Sequence, residues 1–151
     1  MSSESGSMNA GFAIEKRMPT AEEHRQLAEA VGWSAAFNWA TVPASLRGSL
    51  AGVVAIRDGE VVGMGRLVGD GAMYFYVQDL VVLPAHQGSG IGKALVAALL
   101  EHVASVAPAT AFVGLFATDE AIPLYERMGF SRGDLTGMFR LVEPDATRGD
   151  R

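Results

Sequence analysis

The stretch "VVLPAHQGSGIGKALVAALLEHV", Val81 to Val103, sets three glycines and a lysine between an apolar run and an amphipathic repeat. Pro84 stops the apolar run, which reads as a strand. Beyond it Ile91, Leu95 and Leu99, with Val96, Leu100 and Val103, mark one face of a helix that begins near Gly90 and ends near Pro108. A strand, a glycine loop and a helix in that order aim free backbone N–H groups and a positive dipole end at one point, a geometry that holds phosphate. Gly88, Gly90 and Gly92 let the main chain come close, and Lys93 adds a charge nearby. Two familiar phosphate loops fail on spacing. A P-loop needs glycine where Gln87 stands and Ser or Thr where Ala94 stands; a dinucleotide fingerprint needs glycine at Lys93 or Leu95. A tight connection without any ligand would use the same glycines.

Phe12–Arg17 alternates and predicts a first strand. Thr20 with Glu23 forms a capping-box signature for a helix that Gly32 stops, with Leu27, Ala30 and Val31 as its apolar stripe. A second short helix is expected before Ser49. Asp58-Gly59 predicts a hairpin and Gly69-Asp70-Gly71 a second turn, giving strands over about Leu50–Arg57, Glu60–Val68 and Ala72–Leu83. Thr110–Ala117 reads as a buried strand. "DEAIPLYERMG" reads as a helix with Asp119 near its start and Gly129 as its stop, and Gly137–Val142 as a final strand. The order β-α-α-β-β-β-α-β-α-β predicts an α/β fold: a mixed, largely antiparallel sheet of about six to seven strands with helices on both faces. One domain is expected over 11–143, between flexible tails at 1–10 and 144–151.

Composition narrows the function. The chain has 151 residues, 49% hydrophobic and 19% charged, which suits one domain with a real core. A net charge of −5 argues against general nucleic-acid binding. The absence of cysteine removes disulfides, thiolate metal sites and a cysteine nucleophile, and His24, His86 and His102 lack metal-ligand spacing, so no metal is expected. No segment approaches the about 20 apolar residues of a membrane span. The N-terminus does not follow a signal-peptide plan, and the bland reading is a cytoplasmic protein.

Gln87-Gly88-Ser89-Gly90-Ile91-Gly92 follows a Q-x-x-G-x-G pattern directly after a strand, and resembles the acyl-CoA pyrophosphate loop of the GNAT N-acetyltransferase superfamily. "PLYERMGF" (Pro123–Phe130) resembles that family's later helix, and the element order is also the family's. The resemblance covers roughly Phe12 to Val142. It implies a GNAT-like fold and acetyl transfer from acetyl-CoA, a cosubstrate, to a primary amine, by direct attack through a tetrahedral intermediate. Binding of acetyl-CoA is expected at Gln87, Gly88, Ser89, Gly90, Ile91, Gly92 and Lys93. An oxyanion-binding N–H is expected near Leu80, Val81 and Val82, where the family's strand carries a bulge. A homodimer is a further implication, since the family often pairs through sheet edges or the last strand.

Tyr125 matches the family's tyrosine, which protonates the leaving thiolate; a core tyrosine is the other reading. Strict alternation places Asp79 with Phe75, Val77 and Val81 on a buried face, where desolvation would raise its pKa and suit a general base. A structural Asp accepting hydrogen bonds is an equal reading. His24 and His102 read as helix-surface residues, and His86 as a loop histidine. Arg66 and Asp70 lie where they could reach the acceptor side. Trp33, Phe37 and Trp39 offer an aromatic wall for a small-molecule amine or serve as core anchors. A protein N-terminus or lysine is an alternative acceptor. A non-catalytic acyl-CoA sensor is a second class of function, and a different nucleotide-binding enzyme a third.

Overall fold

Asp58 and Gly59 adopt φ of 52° and 79°, the two left-handed residues of a type I′ turn. They join β2 (Ala51–Arg57) to β3 (Glu60–Gly69) in antiparallel register. β1 (Ala13–Glu15) pairs on the outer edge of β2. On the other side β4 (Tyr74–Val82) is antiparallel to β3, and β5 (Phe112–Gly114) is parallel to β4, so among the described residues the sheet has five strands in sequence order. In this computed structural model residues 11–145 are described; the tail expected at 1–10 and the C-terminal residues from 146 lie outside them.

The helices follow their local signals. Thr20 accepts from the Glu23 N–H at 3.1 Å while its own N–H donates to Glu23 Oε1 at 2.9 Å, closing the capping box of α1 (Ala21–Ala30). Bonds from Trp33 N–H to Ala28 O and from Gly32 N–H to Glu29 O end it in a Schellman motif. After a 3₁₀ turn at Ser34–Ala36 comes α2 (Val42–Arg47). The long helix α3 (Ile91–Val106) follows a second 3₁₀ turn at Pro84–His86. The short α4 (Ile122–Arg127) carries Pro123 in its first turn. Asp119 precedes α4 and does not cap it, because the chain first turns at Thr118, whose carbonyl accepts from Ala121 and Ile122.

Each face of the sheet has its own core. α3 lays Ile91, Leu95, Ala98, Leu99 and Val103 on Val53, Val62, Leu67, Phe75 and Val77. On the opposite face Leu27 of α1 packs with Val54, Met64 and Val81. Each fully buried aliphatic side chain contributes about 1.5–3 kcal/mol, so these two layers fix both helices on the sheet.

Two expectations need correction. Among the described residues the sheet has five strands where six to seven were expected, and Gly137–Val142 is not a strand. The alternation of "GMFRLV" is real, but a strand also needs an edge to pair with. β5 is only three residues long, and Leu135, Met138, Phe139, Leu141 and Val142 are all exposed. The segment touches the domain through rings instead: Phe139 meets Phe116 at 6.3 Å.

Candidate active site

Gly90 caps α3 at φ 89° without a side-chain bond, and the first helical bond runs from Ala94 N–H to Gly90 O at 3.0 Å. The N–H groups of Ile91, Gly92 and Lys93 are therefore without helical acceptors. A β-carbon at Gly88 or Gly90 would meet nothing within 4 Å, so glycine is required there by the left-handed backbone while the space in front of the loop stays open. Gly92 differs: a β-carbon there would lie 3.3 Å from Leu124, so this glycine lets α4 rest against the first turn of α3. The Gln87 side chain donates to Val82 O at 3.0 Å and Ser89 Oγ to His86 O at 2.6 Å, which braces the loop. Lys93 is exposed, and no acidic residue lies among Gln87–Lys93. Backbone donors plus one lysine form a donor set that fits a pyrophosphate.

The strand feeding this loop carries the expected bulge. Met64 pairs with Val81 and Arg66 with Gln78, so Asp79 and Leu80 together oppose Gly65. A β-carbon at Gly65 would fall 2.9 Å from Leu80 Cδ1, and its absence makes room for the extra residue. The bulge reverses the alternation. Phe75 and Val77 face α3, whereas Val81 packs with Leu27 on the α1 face. Asp79 thus does not share a face with Phe75 and Val77, as strict alternation had it; it is buried on the opposite side. β5 pairs only with Tyr74–Tyr76, so the far half of β4 has an open edge. Leu83 N–H donates to Val62 O on β3, and alternation turns the N–H groups of Val82 and Leu80 toward that open edge.

Asp79 stands in the bulge at φ 54°, and its carboxylate has two partners. Its Oδ2 accepts from Arg66 Nε at 2.7 Å and lies 3.0 Å from His24 Nε2. Arg66 also donates to Ser49 Oγ at 2.9 Å and Ser45 O at 3.3 Å, which ties α2 into the cluster. Burial pushes the Asp79 carboxyl up, but the hydrogen bonds and charges of His24 and Arg66 outweigh it and hold the group below the usual carboxylate range. The raised pKa expected of a buried carboxylate is therefore absent, because desolvation here comes with partners.

His24 is the residue the sequence reading missed. It is 1% exposed, and its Nδ1 has no hydrogen-bond partner among the described residues. Phe37 packs edge-on against its ring at 4.8 Å, with Trp39 at 6.0 Å. A cavity of about 190 Å³ adjoins it, lined among others by Phe37, Asn38, Thr41, Ser45 and Arg66. Arg25 sits 4.9 Å over the Trp39 ring, and Trp33 stands apart and exposed. The signal was available, because His24 lies three, four and seven residues before Leu27, Ala28 and Val31, on the buried face of α1. Asp70 is engaged elsewhere: its Oδ1 accepts from the N–H groups of Ala72, Met73 and Tyr74 and holds the turn into β4.

Tyr125 is 8% exposed and packs on Phe130 at 5.8 Å. Its neighbour Leu124 lies against Gly92, which places α4 beside the cradle. Burial pushes the phenol above its usual pKa, so it keeps its proton at neutral pH. Tyr76 has a buried hydroxyl without a partner among the described residues. No group of three or more His, Asp or Glu among the described residues is placed to hold a metal, and none of their helices is long and apolar enough to cross a membrane.

The family model described as "Acetyltransferase (GNAT) domain" matches residues 49–132. The mycothiol acetyltransferase of Streptomyces griseus is 39% identical over 89 residues, 58% of this chain and 29% of that protein. The chain spans only about a third of the length of such curated relatives. Among solved structures, a GNAT family acetyltransferase from Streptococcus pneumoniae superposes with a TM-score of 0.75 at 33% identity, covering 88% of this chain and 99% of that one. A probable acetyltransferase of unknown function from Staphylococcus aureus gives a TM-score of 0.78 at 26% identity, covering 87% and 99%.

Proposed function

The chain belongs to the GNAT acetyltransferase family, and from that premise we propose that it transfers an acetyl group from acetyl-CoA to a primary amine of a small molecule. One observation carries this reading: an α3 N-terminus whose glycine cap leaves its first N–H groups free and an unpaired β4 edge lie side by side at the end of the same bulged strand. Acetyl-CoA supplies the activated acetyl thioester. The backbone N–H groups of Gly88–Lys93 receive its pyrophosphate, with Lys93 beside them. The open edge at Leu80–Val82 offers N–H groups to the pantetheine arm and to the oxygen that gains charge during transfer. Tyr125, protonated at neutral pH, donates to the departing sulfur. Asp79 is the site's fixed anion, holding His24 and Arg66 in place.

A small acceptor accords with the size of the cavity beside His24, which is below the usual range for a drug-sized ligand of about 300–1,000 Å³. A homodimer paired through the outer edge of β5 accords with the exposed apolar residues between Leu135 and Val142; sedimentation reads it directly. The test of function is free-thiol release from acetyl-CoA against a panel of amines, amino acids and peptides. Amine-dependent release is expected. Release only with peptides moves the acceptor to protein amines, tight binding without release makes the protein an acyl-CoA sensor, and binding of ATP or NAD without response to acetyl-CoA overturns the reading.

A further inference from the structure

The buried cluster on the α1 face holds one group that the family reading leaves unused. His24 is almost fully buried at the wall of the cavity, one ring nitrogen faces a carboxylate, and the other has no partner among the described residues. A buried polar atom left unpaired is uncommon and invites an explanation in function. Carboxylate Oδ2 can only accept, so the 3.0 Å contact requires the proton on His24 Nε2. In the neutral ring that leaves Nδ1 as a bare lone pair. Arg66 donates to the same carboxylate oxygen at 2.7 Å, so Asp79 Oδ2 is shared between the guanidinium and the imidazole. The charged groups facing the imidazole are therefore Asp79 from β4 and Arg66 from β3; the segment after α1 brings Phe37 and Trp39, and Arg47 of α2 is exposed.

We propose that His24 Nδ1 is the proton acceptor of the acetyl-transfer site, and that the 190 Å³ cavity beside it takes a small primary amine whose body lies against Phe37. The inference rests on the acetyl-transfer reading above and deepens it. Asp79 acts through His24 as a positioning residue: it fixes the tautomer and steadies the imidazolium once formed, as the carboxylate does in Asp-His dyads. The step balances without another reactant. The amine nitrogen forms a bond to the thioester carbonyl carbon, and its N–H proton passes to His24 Nδ1. The carbon–sulfur bond then breaks, the thiolate takes its proton from Tyr125, and the proton on His24 returns the phenol to its neutral form through solvent. The products are the N-acetyl amine and free CoA.

The first measurement needs no turnover. In protein labelled with ¹⁵N-histidine, the His24 resonances at neutral pH should show Nε2 protonated and Nδ1 bare, and addition of 2-phenylethylamine should shift Nδ1. A protonated Nδ1 at neutral pH, or an Nδ1 resonance that the amine leaves in place, overturns the proposal. The second uses His24→Gln. Its kcat/KM should fall roughly 10²–10⁴-fold and its pH profile should lose the acidic limb, while its affinity for acetyl-CoA stays within about twofold of the parent protein. A variant that keeps its rate within about threefold and its pH profile unchanged overturns the role of His24. Failure of the parent protein to bind acetyl-CoA would instead remove the underlying reading. Should His24→Gln not fold, the resonance measurement still decides.

Discussion

Replacement of Asp79 by Asn tests the electrostatic core of the site. Asn keeps the shape of Asp and tolerates the left-handed φ of 54°, so the backbone is not put under new strain. What it removes is the charge between Arg66 and His24. Asp79 and Arg66 side chains are 8% and 11% exposed, and breaking a pair buried to that degree costs about 3–5 kcal/mol. The Asn carbonyl still accepts one hydrogen bond, which returns about 1 kcal/mol. The expected loss at pH 7 is then about 2–4 kcal/mol, a large part of a domain stability of about 5–15 kcal/mol. The pH dependence carries the sharper test. The folded-state pKa of Asp79 is depressed, so its contribution is complete above the unfolded value of about 4 and is lost as pH falls through the lower folded value. The gap between parent and variant should close as pH falls below about 4. Urea unfolding at a series of pH values, with equal m-values, measures it. A gap below about 1 kcal/mol at pH 7, or one that does not change down to pH 2.5, would refute the assignment of Asp79 as a buried ion-pair carboxylate.

Three further outcomes are expected. Tyr125→Phe should lower kcat by roughly 10²–10⁴ with little change in acetyl-CoA affinity; a loss below about threefold in steady-state assays leaves only the packing on Phe130. Gly90→Ala places a β-carbon in open space at φ 89°, so it should cost about 1–2 kcal/mol from backbone strain alone and weaken acetyl-CoA binding, read by denaturation and calorimetry. No change in either measurement would mean that the loop does not depend on this left-handed residue. Leu99→Ala should destabilise by about 2–5 kcal/mol, because Leu99 is fully buried between α3 and the sheet; thermal unfolding with an unchanged midpoint would contradict that packing.

The parts of the fold that were legible in the sequence are those written in neighbouring residues. The Thr20–Glu23 capping box, the Asp58-Gly59 turn and the apolar face of α3 each depend on contacts within a few positions, and each formed where its residues stand. The site was legible as far as its backbone: the glycine loop and the bulged strand lie where the resemblance put them. Its electrostatics were not. Whether Asp79 is raised or lowered depends on Arg66, thirteen residues away, and on His24, fifty-five residues away, and neither distance is visible in a linear pattern. His24 was hidden by its charged neighbours in "AEEHRQ", although its spacing to Leu27 and Val31 already put it inside. The final strand failed for the opposite reason: "GMFRLV" has the pattern of a strand, and the partner edge it would need is no property of those residues.

The extra residue in β4 sets a phase. Before it, side chains and main-chain groups of the strand keep one beat; after it, both are shifted by half a period. A chain one residue shorter between Gln78 and Val81 would keep the Gln78–Arg66 and Val81–Met64 pairs in an unbroken ladder, with Val82 N–H still at the open edge, and would lose the extra position that turns Asp79 toward His24. Whether the cluster has its carboxylate is thus decided by a count of residues along the strand. Insertions or deletions of one residue between Asp79 and the glycine loop should be felt more sharply than most substitutions at the same positions.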